Sequence, residues 1–263
     1  MSQFESGGAS RLQVERHQQI YRLARQHGAV DVSELAQRFD VTTETIRRDL
    51  SELQEKNLIR RVHGGAVPVE RNFHEPLVDE RGRQNTEEKL AIGRLAIGEL
   101  TEGATLILDS GSTTQRFAEV LPVDLALKVT TNSLTIAMTL ARRGMHDVTM
   151  LGGAVSTKTL ASVDATTVEQ LAPLRTDLLF IGCDGLSFKR GLTTPYPSEH
   201  HVKRAMIRSA RKLIALVDYS KFDNDQTFSY AGLNQIDVLI TDSRATDEDL
   251  DLLREAEVVV KCA

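Results

Sequence analysis

The sequence lacks several features that define common protein classes. It has two cysteines, Cys183 and Cys262, which is too few for a disulfide framework or a metal-ligand cluster. No segment approaches the roughly 20 apolar residues that a membrane-spanning helix needs, and the N-terminus lacks the basic-then-apolar order of a signal peptide. These absences predict a soluble, cytoplasmic protein in a reducing compartment.

Two familiar phosphate-binding motifs are also missing. The chain has no G-x-x-x-x-G-K-[ST] motif, and the glycine in Asp109–Thr114 lacks the G-x-G-x-x-G spacing, so ATP hydrolysis and dinucleotide chemistry are not indicated. The neighbours His200 and His201 have no spaced Cys, His or carboxylate partners. We therefore predict no metal and no other cofactor.

Charge is distributed unevenly along the chain. The net charge is −5 over 263 residues, a length that can hold one large or two ordinary domains. A non-specific nucleic-acid coat would need a broad basic field. Here positive charge is local, in Arg47, Arg48, Lys56, Arg60 and Arg61. This local charge favours site-specific recognition of duplex DNA.

The segment Val32–Val67 predicts a winged helix-turn-helix. A short helix with Leu35 on its apolar side is followed by a turn, and Thr42 is suited to cap a second helix. The apolar stripe of that second helix consists of Ile46, Leu50 and Leu53. Leu58–Val62 and Ala66–Val69 then predict a hairpin with Gly64-Gly65 as its turn.

The exposed face of the second helix and the hairpin are predicted to contact DNA. Arginine can bind guanine in the major groove, and hydroxyl groups can reach bases or phosphates. The predicted DNA-binding residues are Thr43, Thr45, Arg47, Arg48, Ser51, Arg60, Arg61 and His63. Two alternatives are a solvated basic helix face and a protein-docking module. Two helices, a short turn, a basic second helix and a basic wing in this order favour DNA binding.

Composition predicts the domain boundaries. We expect a disordered tail over 1–13, a DNA-binding domain over 14–70 and a linker over 71–85, which is polar and contains Pro76. A second domain is expected over 86–263, because Asn85–Glu88 resembles a capping box that begins a helix.

The second domain alternates apolar runs with helical patterns. The predicted strands are Thr105–Asp109, Lys128–Thr131, Asp147–Leu151, Asp177–Gly182, Lys212–Asp218, Val238–Thr241 and Val258–Lys261. The predicted helices include Thr114–Val120, Leu134–Arg143, Ala165–Leu171, Glu199–Ser209 and Asp247–Ala256. This alternation predicts an α/β fold with a mostly parallel sheet and helices on both faces. Ligands of such sheets bind outside the carboxyl ends of the strands.

Small polar residues follow five of these predicted strands. They are Asp109–Thr114, Thr131–Ser133, Gly152-Gly153, Gly182–Gly185 and Asp218–Lys221. Taken singly, each is ordinary capping chemistry. Together they predict a site for a phosphorylated, hydroxyl-rich small molecule, with hydroxyls and helix N–H groups as phosphate donors. Lys221 is either an anion-binding residue or a solvated surface lysine, and Cys183 is expected to be a buried structural thiol.

The motifs together resemble the DeoR family of bacterial transcription regulators. The resemblance rests on TIRRDL at Thr45–Leu50, RRVHGGA at Arg60–Ala66, and the DSGSTT, TNS, LGG, GCDG–GLT–SEHH–KRAM and VDYSKF stretches of the second domain. It implies an operator-binding homodimer or homotetramer that responds to a phosphorylated sugar. It also implies a repressor of a sugar uptake or catabolism operon and not an enzyme.

The family's sensor domain is in turn similar to ribose-phosphate isomerases. The effector-binding residues expected from the strand ends and this similarity are Asp109, Ser110, Gly111, Ser112, Thr113, Thr114, Thr131, Asn132, Ser133, Gly152, Gly153, Asp184, Gly185, Glu199, Lys203 and Lys221. Gly185 and Phe188–Gly191 depart from the enzyme's pattern, which puts catalysis in doubt. The competing hypothesis is an isomerase-like enzyme with an accessory winged-helix arm, in which Asp184, Glu199 and Lys221 would be acid/base groups.

Overall fold

The computed structural model describes residues 13, 16–17, 19–24, 27–55, 58–62, 64–68 and 78–263. Contacts divide the chain into two compact units, Met1–His74 and Glu75–Ala263. The predicted tail, apart from residue 13, and positions 71–77 of the predicted linker lie outside the described residues. No helix among the described residues is both long and apolar enough to cross a membrane.

The first unit is a winged helix. Helical residues at 16–17 and 19–24 precede β1 (Val30–Asp31), α1 (Val32–Arg38), α2 (Thr43–Glu55), β2 (Ile59–Val62) and β3 (Gly65–Pro68). The three strands form an antiparallel sheet in the order β1-β3-β2. The predicted helix-turn-helix and hairpin are therefore present, and β1 is a strand that the sequence did not predict.

The predicted apolar stripe of α2 forms the core of this unit. Ile46, Leu50 and Leu53 are buried against Ile20 and Leu35 among others. The wing approaches β1 closely, because a Cβ at Gly65 would lie 1.9 Å from the carbonyl oxygen of Val30. Only glycine permits that approach.

The second unit contains the remaining elements. Its helices are α3 (Val78–Arg83), α4 (Thr86–Ala96), α5 (Ser112–Val120), α6 (Leu134–Arg142), α7 (Ala165–Leu171), α8 (Pro197–Arg208) and α9 (Asp247–Glu255). Its strands are β4 (Thr105–Leu108), β5 (Lys128–Thr131), β6 (Val148–Met150), β7 (Val155–Ser156), β8 (Ala161–Ser162), β9 (Thr176–Ile181), β10 (Gly185–Ser187), β11 (Gly191–Thr194), β12 (Ala210–Leu216), β13 (Phe228–Ala231), β14 (Val238–Thr241) and β15 (Val259–Cys262). Helix α3 lies within the positions predicted to be linker.

A parallel sheet of seven strands organises this unit. Its order is β15-β14-β12-β9-β4-β5-β6, and every neighbouring pair is parallel. Successive residues of β9 enter different cores: Leu178 and Phe180 pack with α4, α5 and α6, whereas Leu179 and Ile181 pack with α7, α8 and α9. The predicted α/β fold with helices on both faces is thus confirmed.

The strand order reverses direction between β4 and β9. From β4 the chain proceeds to β5 and β6 on one side, and β9 returns to the other side of β4. The crevice at such a reversal, beyond the carboxyl ends of the strands, is the usual ligand site of open parallel sheets. The short pair β7-β8 and the antiparallel sheet β10-β11-β13 were not predicted. The connection between β7 and β8 supplies Thr159 to the wall of this crevice.

Candidate functional site

Helix α2 presents an exposed basic face. Its first turn is capped by Thr42, whose hydroxyl accepts the N–H of Thr45 at 3.1 Å. The side chains of Arg47 and Arg48 are 54% and 82% exposed, with acidic neighbours on the same helix at 3.4 and 3.6 Å. Such exposed pairs contribute little to stability. Both guanidinium groups are therefore accessible to an anionic partner such as DNA.

A buried carboxylate, which was not predicted from the sequence, holds α2 in its orientation. Asp49 accepts hydrogen bonds from Arg16 Nε at 2.6 Å and Arg16 Nη2 at 3.0 Å, and its Oδ1 lies 2.9 Å from His17 Nε2. This two-donor pairing with Arg16 is geometrically specific. The position of Asp49 between Ile46 and Leu53 on the buried stripe was the signal that could have identified it.

The wing is joined to α2 by polar contacts. The backbone N–H of Arg61 donates to Gln54 Oε1 at 2.9 Å, and Arg61 Nη1 donates to Ser51 Oγ at 2.9 Å. Two residues predicted to contact DNA therefore contact each other here. Arg60 and Thr43 are exposed and Thr45 is half-buried, whereas His63 lies outside the described residues.

The second unit has a polar pocket at the reversal between β4 and β9. The predicted residues that line it are Ser110, Gly111, Ser112, Thr113, Asp184, Glu199, Lys203 and Lys221. The lining residues that were not predicted to bind effector are Arg81, Thr159, Gly182 and Cys183. Ser110–Thr113, Asp184 and Lys221 follow predicted strands, and strand-end reasoning included them for that reason, whereas Lys203 on α8 was expected from the family resemblance. Arg81 and Thr159 come from α3 and from the β7-β8 connection, which the sequence pattern did not place near the sheet.

Buried charges form the floor of the pocket. The ammonium group of Lys203 donates to Asp109 and, at 3.1 Å, to the carbonyl oxygen of Gly182. Burial opposes the charge of Lys203, but Asp109, Glu199 and Asp184 outweigh burial and raise its pKa. Lys203 is therefore an ammonium ion at neutral pH.

Glu199 is the titratable group of the pocket near neutral pH. Burial, reinforced by the negative charge of Asp184, raises the pKa of Glu199 to about 7. One of its carboxyl oxygens and the hydroxyl of Thr159 have no hydrogen-bond partner among the described residues. Both side chains are more than nine-tenths buried and line the pocket. Because buried polar atoms are normally hydrogen-bonded, these two groups favour a polar ligand at this place.

Several predicted effector residues lie outside the lining and support the loops instead. The hydroxyl of Thr114 donates to the carbonyl of Gly111 at 3.0 Å, and Asn132 Oδ1 accepts the N–H of Ser110 at 3.2 Å. Ser133 caps α6 through the N–H of Ile136. The other predicted effector residues outside the lining are Asp109, Thr131, Gly152, Gly153 and Gly185.

The positions of Lys221 and Cys183 in the pocket wall bear on the roles that were expected for them. Lys221 follows β12 and lines the pocket, which favours the anion-binding interpretation. Cys183 is half-buried at the pocket wall, and burial raises the pKa of its thiol. A thiol that stays protonated at neutral pH is a poor nucleophile, in keeping with the predicted structural role.

A winged helix with a basic second helix, combined with a parallel α/β unit that has an ionic pocket, is typical of ligand-responsive transcription regulators. Comparison with known sequences agrees in both units: residues 16–72 match the DeoR-like helix-turn-helix domain and residues 84–243 match the DeoR C terminal sensor domain. The chain belongs to the DeoR family of transcription regulators, and the competing enzyme hypothesis is set aside.

Individual relatives match over nearly the whole chain. The HTH-type transcriptional regulator GlpR of Haloferax volcanii is 34% identical, over 95% of this chain and 97% of the relative. The glycerol-3-phosphate regulon repressor of Escherichia coli is 32% identical, over 88% of this chain and 91% of the relative. Among solved structures, ribose 5-phosphate isomerase A of Methanocaldococcus jannaschii is similar, with 19% identity, a TM-score of 0.40 and coverage of 53% of this chain and 55% of that chain.

Proposed function

We propose that this chain represses a sugar uptake or catabolism operon and that a phosphorylated sugar or related phosphorylated metabolite controls its affinity for operator DNA. In this proposal α2 enters the major groove and the wing contacts the backbone. The metabolite occupies the pocket at the reversal between β4 and β9. The domains are those proposed from composition, 14–70 and 86–263, acting in a homodimer or homotetramer.

The pocket supports an anionic, hydroxyl-bearing ligand. Ser110–Thr113 runs into the N-terminus of α5, where backbone N–H groups and hydroxyls favour an anion. Lys221 adds a positive charge on the same wall. Glu199 has an unpaired carboxyl oxygen deep in the pocket and can accept from a sugar hydroxyl. This combination of donors for phosphate and an acceptor for hydroxyls is the observation on which the ligand class rests.

The relatives narrow the choice of compounds to test. One is named as the repressor of a glycerol-3-phosphate regulon, so glycerol 3-phosphate belongs in the panel beside the hexose and pentose phosphates. Glycerol 3-phosphate and a sugar phosphate share a phosphate monoester next to hydroxyl groups. The same pocket chemistry would recognise either.

A thermal-shift screen of the full chain tests the ligand half of the proposal. Each phosphorylated compound is compared with its unphosphorylated counterpart, and a phosphate-dependent rise in Tm is expected because a ligand of the native state stabilises it. Lys221→Ala should reduce the rise for that compound. Equal shifts for phosphorylated and unphosphorylated compounds, or none for the whole panel, would contradict the proposed ligand class.

Selection from a pool of random-sequence duplexes tests the DNA half. The full chain should enrich one sequence with two half-sites, as an oligomer of winged helices requires. Adding the compound found in the screen should change the affinity for that duplex. Enrichment of no sequence would contradict site-specific DNA binding, whatever the result of the ligand screen.

A further inference from the structure

Arg81 connects the pocket to the chain segment that leads from the DNA-binding unit. It lies on α3, which begins at Val78, ten residues along the chain from Pro68, the last described residue of the wing. The Arg81 side chain is 11% exposed, and its Nη1 donates to Asp184 Oδ1 at 2.5 Å. A residue of the predicted linker thus forms part of the pocket wall.

The backbone after Arg81 is held by side chains of the second unit. The ammonium group of Lys89 donates to the carbonyl oxygens of Arg81 and Gln84, each at 2.7 Å. Arg116 Nη2 donates to the carbonyl of Gly82 at 3.0 Å. Arg116 lies on α5, whose N-terminus follows the Ser110–Gly111 loop, so this segment is anchored to the element that holds the proposed phosphate site.

A second hydrogen bond connects this segment to the loop that carries Lys221. Asn85 Nδ2 donates to Asp218 Oδ1 at 3.0 Å, and Asp218 lies three residues before Lys221. Burial opposes the charge of Asp218, but Lys221 and Lys89, with hydrogen bonds from Ser220 and Asn85, lower its pKa. Residues 81–85 are therefore in contact with both elements that are expected to hold an anion.

The charges of the pocket show what an anion would do to Arg81. Lys203 is paired with Asp109, which is not among the residues that line the pocket. Arg81 is paired with Asp184, which does line the pocket. A phosphate in the pocket would attract the guanidinium group and repel the carboxylate. Guanidinium has several N–H donors in a planar fork and binds phosphate through two of them.

We propose that Arg81 is a ligand-binding residue and that ligand binding is transmitted through it to residues 78–85, the segment that precedes α4. A phosphate held by Ser110–Thr113 and Lys221 takes hydrogen bonds from Arg81 and weakens the Arg81–Asp184 pair. The position of α3 then differs between the bound and free protein. This inference rests on the proposed function, since it requires an anionic ligand in this pocket.

Calorimetric binding of inorganic phosphate and of glycerol 3-phosphate to the full chain tests the role of Arg81. Arg81→Ala should weaken binding at least about tenfold, as expected for losing a charge-assisted hydrogen bond, and Arg81→Lys should lie between it and the wild type. Arg83→Ala is the matched control, because Arg83 lies on the same helix and is exposed. It should bind as the wild type does.

A second variant tests the same proposal if Arg81→Ala does not fold. Asp184→Asn removes the competing carboxylate and keeps Arg81, so it should bind phosphate several-fold more tightly than the wild type. Weaker binding in Asp184→Asn would overturn the proposed competition. Unchanged affinity in Arg81→Ala, with binding lost in Lys221→Ala, would overturn the role of Arg81 while the proposed function stands.

Hydrogen exchange of peptides covering 78–85 tests the transmission. Phosphate should change their exchange rates in the wild type and in Arg83→Ala, but not in Arg81→Ala, with sodium chloride as the ionic-strength control. Unchanged exchange in a wild type that binds phosphate would overturn the transmission step. A wild type that binds neither these probes nor any phosphorylated compound of the panel would overturn both this inference and the proposed ligand class.

Discussion

Arg47 on α2 and Lys203 in the pocket are both cations with an acidic neighbour, yet their surroundings are opposite. The side chain of Arg47 is 54% exposed and lies 3.4 Å from Glu44. The side chain of Lys203 is 4% exposed and bonded to a carboxylate that is itself buried. An exposed pair contributes little to stability, whereas breaking a buried pair leaves an uncompensated charge. The exposed basic face of α2 can therefore change without cost to folding, whereas the buried charge pair of the pocket cannot.

Asp49 shows that the difference between Arg47 and Lys203 comes from burial and not from the unit in which each residue lies. It lies on the same helix as Arg47, but it is buried and paired with Arg16 and His17. Within one helix, then, one charged side chain holds the helix in place and others remain available to a partner.

The largest expected effect concerns the pair in the pocket. Asp109→Asn leaves the ammonium group of Lys203 buried without its counter-charge and should lower the free energy of unfolding by about 3–5 kcal/mol. Urea unfolding followed by circular dichroism measures it. The double variant Asp109→Asn with Lys203→Met should recover part of the loss, because neither charge remains. A loss below about 1 kcal/mol for the single variant would remove the contrast with the surface pairs.

The next largest effect concerns the exposed basic face of α2, which we propose to contact DNA. Arg47→Ala should weaken binding to the selected duplex by about 1–3 kcal/mol, the range for one arginine bound to a base, and leave the Tm unchanged. Arg254→Ala is the matched control: its side chain is 60% exposed and pairs with Asp251 at the same i,i+3 spacing. Equal DNA affinity in the two variants would refute the assignment of α2 as the recognition helix.

The smallest effect is a pH dependence of anion binding. Because burial raises the pKa of Glu199 to about 7, this carboxyl group is mostly neutral at pH 6 and mostly ionised at pH 8. Its charge then opposes a bound anion, so affinity should fall as pH rises, by about three- to tenfold across this window.

Sulfate is the suitable probe for that measurement, because its charge is constant over this range whereas a phosphate monoester titrates near pH 6. Binding is compared in the wild type and in Glu199→Gln, which does not titrate. Lys89 also loses charge in this range, since burial lowers its pKa to about 8, and that contribution is common to both proteins. Identical pH profiles would show that Glu199 does not face the anion.

Much of the fold followed from local patterns. The apolar stripe of α2 was predicted from its periodicity, and Thr42 from its capping chemistry. The strands β5 and β14 were predicted from the alternation of apolar runs and helical patterns. The short strands β10, β11 and β13 were missed, because they lie outside the alternation of strands and helices from which the parallel sheet was predicted. In the pocket, the strand-end residues Ser110–Thr113 and Lys221 were predicted because parallel strands bring their carboxyl ends together.

By itself the sequence determined the order of helices and strands, the basic face of α2 and the polar ends of the strands, because each depends on neighbours within a few residues. Only the tertiary structure decided which charges meet. Arg16 with Asp49, Arg81 with Asp184, and Asp109 with Lys203 are pairs separated by 33, 103 and 94 positions. Packing of whole elements brings such groups together, and no local pattern records it. These pairs are largely buried within the folded units, whereas an exposed charge such as that of Arg47 remains available to a partner.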